Sequence, residues 1–176
     1  MMRRLALVAA LVLPGLAGAE VVRDISRPMV VVAGFDKARL VGEWFEVARS
    51  DSVLEVDCHG VTTAIAARDD SRFTLKIACH KGRVGGPVLP IDGVMAEVAP
   101  GLYQVRFVRL PQFGNLELAV LWAAEDDSMV VIGSALGQVG WVLTKVATPD
   151  EAAMQVGVQV LVDNGYALGA ISPVKQ

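Results

Sequence analysis

The stretch from Gly34 to Arg49 reads GFDKARLVGEWFEVAR, and its second half opens a series of extended segments. From Gly42 to Asp51 the chain reads as a strand in which Trp44 and Glu46 share one face, because side chains alternate along an extended chain. Working outward, short apolar runs recur every eight to twelve residues with turn signals between them. They predict further strands over Gly60–Ala67, Arg72–His80, Ile91–Val98, Leu102–Arg109, Leu116–Ala124, Met129–Ala135 and Trp141–Ala147. The turns fall at Arg68–Ser71, Ala99–Gly101, Leu110–Asn115, Glu125–Ser128 and Leu136–Gln138, all rich in Gly, Pro, Asp, Asn or Ser. Eight strands with short connections predict antiparallel neighbours. Eight are enough to close an up-and-down barrel around one small ligand.

The period then changes. Thr148-Pro149-Asp150-Glu151 has the composition of a helix start, read with Thr148 as N-cap and Glu151 completing a capping box. Asn164-Gly165 supplies the stop. Ala153, Val156, Gly157, Val160 and Leu161 fall on one face of this Thr148–Asn164 helix, opposite Gln155, Gln159 and Asp163. One amphipathic helix after the last strand is expected to dock on the outside of the barrel, with Gly157 allowing a close approach. The expected class is all-β, one domain over residues 20–176, with no repeat and no low-complexity segment.

Residues 1–19 read as a secretory signal peptide. Met1-Met2-Arg3-Arg4 is basic, Leu5–Leu13 is an apolar run, and Ala17-Gly18-Ala19 supplies small residues before the expected cleavage. Nine apolar residues are too few for a membrane span, which needs about 20. The absence of a cysteine at positions 19 and 20 argues against a lipid anchor. The 176 residues less the first 19 leave 157, with 14 basic against 19 acidic residues and a net charge of −5. That balance gives no basic footprint for nucleic acid. The protein is therefore expected to be exported: periplasmic in a host with two membranes, otherwise secreted.

In an oxidising compartment Cys58 and Cys79 are expected to pair. Their midpoint lies at the start of the Arg68–Ser71 turn, so a tight hairpin would set them directly opposite each other, within disulfide range. The Cys58-His59 and Cys79-His80 dipeptides also resemble a four-ligand metal set. Neighbours in a strand point to opposite faces, however, so one ion cannot readily take both members of each pair, and no metal is expected. No cofactor and no catalytic residue are expected either. Gly-x-Ser-x-Gly, His-Glu-x-x-His and phosphate-loop patterns are all missing. The inward Glu46 reads as a hydrogen-bonded structural acid rather than a catalytic one.

The Phe35-Asp36-Lys37-Ala38-Arg39-x-x-Gly42-x-Trp44 string, followed by eight strands and one helix, resembles the entry segment of the lipocalin family. Its Trp44-Phe45-Glu46-Val47-Ala48-Arg49 continuation and the later Trp141-Val142-Leu143-Thr144-Lys145 resemble the bacterial lipocalin and apolipoprotein D branch. The resemblance spans about residues 33–170. It departs from the family at the Ala124–Asp127 turn, which has no Tyr, at the turn before the last strand, which lacks the branch's Asp-Arg pair, and at Lys145, where the family has Arg. It implies that Gly42 and Trp44 build the closed end of the barrel, with Lys145 laid over Trp44 as a cation–π partner. It also implies a lumen for a small apolar molecule such as a fatty acid or lysophospholipid, and a protein that carries rather than converts it.

Alternation nominates the lumen wall: Phe73, Leu75 and Ile77; Tyr103, Val105 and Phe107; Leu118, Val120 and Trp122. Strand two is ambiguous. Simple pairing sets Thr62 and Ala64 against Leu75 and Phe73, yet the face with Val61, Ile65 and Ala67 is the more apolar, and a bulge would reconcile the two. Three functions remain open: a carrier of an apolar ligand, a lipid-modifying isomerase or hydrolase on the same barrel, and a filled barrel acting through its surface. No membrane span is expected, while transient contact with a membrane stays open.

Overall fold

The computed structural model describes residues 22–176, so the expected signal peptide lies outside it. Eight antiparallel strands form a closed ring: β1 Gly42–Ser50, β2 Cys58–Ala67, β3 Phe73–Lys81, β4 Val88–Ala99, β5 Leu102–Phe107, β6 Asn115–Ala123, β7 Met129–Gly133 and β8 Gly140–Thr144. Each strand pairs with its successor, and β1 pairs with both β2 and β8, which closes the barrel. A short ninth strand, β9 Ile171–Pro173, adds to β1 beside Ala48–Ser50. Helix α1, Glu151–Asp163, packs outside the barrel. The predicted architecture therefore holds, with β9 as the addition. Three residues long, β9 carries too little alternation to be read from sequence.

The hairpin between β2 and β3 corrects the expected register. Ala67 faces Phe73, Ile65 faces Leu75 and Thr63 faces Ile77. Arg68 N–H donates to Arg72 O at 2.8 Å, leaving a three-residue loop with Ser71 in the left-handed region at φ 62°. The turn is thus centred on Asp70. A bulge between His59 and Thr62, with Gly60 at φ 53°, then shifts the register again. Cys58 consequently faces Lys81 rather than Cys79. The disulfide forms between diagonal neighbours whose Cα atoms are 5.1 Å apart. The inner face of β2 is Val61, Thr63 and Ile65, the more apolar of the two alternatives.

Alternation sorts the apolar residues into two clusters. An inner one fills the barrel, and an outer one lies between the wall and α1, built on Val47, Ala48, Leu121, Met129, Val131 and Val142. The cap of α1 is Asp150, not Thr148: its side chain accepts from Ala153 N–H at 2.7 Å. At the other end Gly165 N–H donates to Val162 O and Tyr166 N–H to Leu161 O, a Schellman stop with Gly165 at φ 92°. Gly157 and Leu161 are the buried residues of the helix, whereas Val156 points outward and is 47% exposed. A Cβ on Gly157 would lie 2.4 Å from Val142 Cγ1, so the helix can sit at this distance only with glycine there. Gly157→Leu should therefore destabilise the fold by about 1–3 kcal/mol, as overpacking does, measured by chemical denaturation.

Candidate functional site

The two ends of the barrel differ. At the closed end a 3₁₀ turn, Lys37–Leu40, leads into β1, and Asp36 caps it by accepting from Ala38 N–H at 2.9 Å. Trp44 is buried and donates its indole N–H to Leu40 O at 2.9 Å. Lys145 Nζ stands 3.4 Å from the Trp44 ring centroid and donates to Glu43 O at 3.3 Å. Burial by these neighbours lowers the Lys145 ammonium below its ordinary pKa. A Cβ at Gly42 would come within 3.0 Å of that Nζ, and Gly42 has φ 127°, so the position needs glycine twice over. Arg39 crosses to the β6–β7 turn, donating to Asp127 Oδ1 at 2.5 Å and Ala124 O at 2.5 Å, and lies 5.4 Å from the Phe35 ring. The end is thus closed by a packed indole, a stacked ammonium and an arginine clasp.

Above this floor the interior is apolar. Phe73, Leu75, Ile77, Tyr103, Val105, Phe107, Leu118 and Val120 all join the inner cluster, none more than 4% exposed. Trp122 does not. A bulge between Val120 and Trp122 turns two consecutive residues, Leu121 and Trp122, to the outer cluster and returns Ala123 to the inside. Sequence alternation missed Trp141, Leu143 and Ile132, which also fill the barrel. β7 and β8 are buried on both faces, so they read as continuous apolar runs with no alternation to show which side is inner.

The open end carries the β1–β2, β3–β4, β5–β6 and β7–β8 loops. A pocket of about 300 Å³ opens there, lined by Leu54, Leu89, Pro90, Ile91, Asp92, Arg109 and Leu110. Leu54, from the β1–β2 loop, is buried with the inner cluster. Other pockets lie on the outer wall, such as that of about 490 Å³ over β4–β6. Phe73, Tyr103, Val105, Leu118 and Val120 line neither of these two pockets and are at most 4% exposed. Packed side chains fill the middle of the barrel.

A polar cluster sits inside this apolar shell. A bulge between Glu46 and Ala48 in β1 sends Val47 and Ala48 outward and leaves Glu46 and Arg49 facing in. Arg49 donates to Glu46 Oε1 at 2.9 Å and to Cys58 O at 2.9 Å. Glu55, from the β1–β2 loop, is also buried, and its Oε2 accepts the Trp141 indole N–H at 2.7 Å. The remaining oxygens, Glu46 Oε2 and Glu55 Oε1, have no other hydrogen-bond partner. Burial, then the charge and hydrogen bond of Glu55, push the Glu46 carboxyl well above its ordinary pKa, and Arg49 opposes them only in part. The sequence pointed to Glu46 from its spacing to Trp44. Glu55 carried no signal, because a loop has no period. Where β1 and β2 part beyond Phe45 and Thr62, the C-terminal tail closes the seam. Val174 N–H donates to Val47 O at 2.9 Å, Lys175 O accepts from Gly60 N–H at 2.6 Å, and the Gln176 amide donates to Glu46 O and Val61 O.

The Cys-His dipeptides build no metal site. Both cysteines are in the disulfide, His80 Nδ1 contacts Gly86 O at 3.0 Å, and His59 pairs with Asp57 at 3.5 Å. Among the described residues no three His, Cys, Asp or Glu side chains gather as a metal-binding group, and no helix is long and apolar enough to cross a membrane.

Two outcomes follow from these contacts. Trp44→Ala should cost about 3–5 kcal/mol in chemical denaturation, as truncation of a packed aromatic does. A carboxyl with a raised folded pKa stabilises the fold fully below its ordinary value near 4.5, and loses that contribution as pH rises through the raised value. Stability measured against pH should therefore fall across that interval, and Glu46→Gln should flatten the slope.

A family model described as a lipocalin-like domain matches residues 35–176. No curated protein matches the sequence. Solved structures do: lobster apocrustacyanin A1, at 12% identity over 80% of this chain and 79% of that one, with a TM-score of 0.63. The major allergen Per a 4 from cockroaches matches at 12% identity over 89% and 96%, with a TM-score of 0.64. Apocrustacyanin C1 matches at 12% identity over 80% and 79%, also at 0.64. At such identities these likenesses speak for the fold alone.

Proposed function

The chain belongs to the lipocalin family, and on that premise we propose that it binds and carries a small apolar molecule with an anionic end, of the fatty acid or lysophospholipid type, after export from the cell. The observation that carries this reading is the pocket at the open end. Its apolar wall is Leu54, Leu89, Pro90, Ile91 and Leu110, and its two charged lining residues are Arg109 and Asp92. An aliphatic chain gains about 0.8 kcal/mol for each CH₂ it buries. A guanidinium beside the apolar wall suits a carboxylate or phosphate head. The pocket's volume of about 300 Å³ is at the lower limit for a ligand site. A long chain would therefore have to displace Leu54 and enter between Phe107, Val105 and their neighbours. The disulfide fits an oxidising destination. No catalytic role is assigned to the buried acids, since Arg49 and the Trp141 indole engage one oxygen of each.

A second reading has one observation in its favour. The middle of the barrel is packed, as expected of a filled barrel that acts through its surface on another protein. Fatty acid titration followed by tryptophan fluorescence separates the two. Saturable binding supports carriage, and Arg109→Gln should then weaken a fatty acid about two- to fivefold while leaving a neutral apolar probe unchanged. Ile91→Trp should fill the mouth and weaken both with the fold intact. No binding of either ligand by the native protein would favour the filled barrel.

A further inference from the structure

The β1–β2 loop, residues 51–57, is pinned at both ends, where Asp51 N–H donates to Ala170 O at 2.7 Å, Gly82 N–H donates to Asp57 O at 3.0 Å and the Lys81 ammonium donates to Val56 O, and between these ends Leu54 and Glu55 reach into the barrel. Leu54 packs into the inner cluster, while Val53 and Val56 beside it are exposed. Glu55 is buried against Trp141 of β8. The loop's far foot is fixed by the Cys58–Cys79 disulfide and by Arg49 on Cys58 O. The part free to swing is therefore the part that holds Leu54 and Glu55.

The charge count inside is uneven. Glu46 of the wall and Glu55 of the loop are two buried acids, and the cation beside them is Arg49 of β1, which is bonded to Glu46 and lines one pocket with Glu55. From β8 the group facing them is the neutral Trp141 indole, from β2 the Cys58 carbonyl, and from the tail the Gln176 amide on Glu46 O. On the solvent side the loop adds Asp51 and Asp57, which line a pocket with Arg49 and Glu55, and from β3 the Lys81 ammonium donates to Val56 O rather than to either buried acid. His59 sits at the loop's foot against Asp57. Each acid has one oxygen engaged and one without a protein donor. A single proton held between those two oxygens satisfies both and leaves one negative charge opposite one guanidinium.

We propose that Glu46 and Glu55 form a proton-sharing latch that holds the β1–β2 loop across the barrel mouth, and that loss of the shared proton frees the loop and opens the apolar interior. The proposal rests on the reading of the barrel as a ligand carrier. When the proton leaves to water, two carboxylates face one guanidinium in an apolar shell. An unmatched buried charge is costly enough to move the mobile partner into solvent. Glu46 is fixed in a strand bonded on both edges. Glu55 is on the loop, and its exit withdraws Leu54 from the mouth. Closure below the transition and opening above it follow, which makes the protein retain its ligand on the acid side and exchange it on the alkaline side.

The test measures hydrogen exchange of the loop amides, corrected for intrinsic rates, from about pH 5 to about pH 9. The uptake rate of the neutral probe N-phenyl-1-naphthylamine is followed in parallel. Both should rise about tenfold or more along a one-proton curve placed above the ordinary glutamate range. Glu55→Gln and Glu46→Gln, which replace the shared proton with an amide N–H, should keep the loop closed and abolish the pH dependence. An unchanging loop in the native protein, or the same transition in both variants, overturns the latch. Should the variants fail to fold, infrared spectra of the native protein decide. A protonated carboxyl band that persists above the ordinary range and vanishes as the loop opens supports the latch, and its absence overturns it. A loop that titrates while the probe enters at no pH sustains the latch and removes the carrier reading. A probe that enters at a pH-independent rate past a closed loop does the reverse.

Discussion

β1 is bonded on both edges, and the rest of the molecule is arranged around that constraint. Its first half pairs with β2 and its centre with β8, so the ring closes there and no strand of the barrel proper is left as an edge. Its last residues pair with β9, which brings the C-terminal tail to the seam where β1 and β2 separate. A strand held this way cannot slide, because a shift of one residue would exchange Trp44 and Glu46 for Phe45 and Val47 on the inner face. The closed end follows from the same strand: Gly42 gives room to Lys145, and Lys145 covers the Trp44 ring.

Bulges decide what each wall carries inward. In β1 the bulge places Glu46 and Arg49 inside, in β2 it brings Cys58 and Val61 to the same face, and in β6 it exports Trp122. Each adds one residue to a strand and inverts the alternation beyond it. The outer face is governed as strictly. Gly157 lets α1 touch Val142, and Tyr166, just past the helix stop, donates its hydroxyl hydrogen to Val139 O at 2.6 Å or Ser134 O at 3.2 Å and accepts Ser134 N–H at 2.9 Å.

The mouth is where the proposed carrier role meets the packed interior. The loop that contributes Leu54 to the core also contributes one of the two buried acids, and its outer residues are exposed valines. The floor has no such arrangement, since Trp44, Lys145 and the Arg39 clasp tie it to three elements. On the proposed reading a ligand would enter from the open end, beside the buried acids.

The eight-strand barrel, the outer helix, the disulfide pairing and the inward side of eight of the nine nominated residues were legible in the sequence. Each rests on local information: two-residue alternation, turn composition, helix-stop chemistry, or a single pair of cysteines. The wider resemblance of Phe35 to Trp44 supplied the family and the Trp44–Lys145 contact. Tertiary structure decided the rest, because it depended on counting residues across strands. The centring of the β2–β3 turn on Asp70 and the bulge at Gly60 set the register that made the disulfide diagonal. The bulge after Val120 removed Trp122 from the lumen, and the contact of α1 with Val142 selected Gly157 and Leu161 over Val156 as its buried residues. Glu55 and β9 had no periodic signal at all. A loop acid meets a strand acid, and a three-residue strand finds an edge, only after the ring has closed and brought distant segments within hydrogen-bond reach.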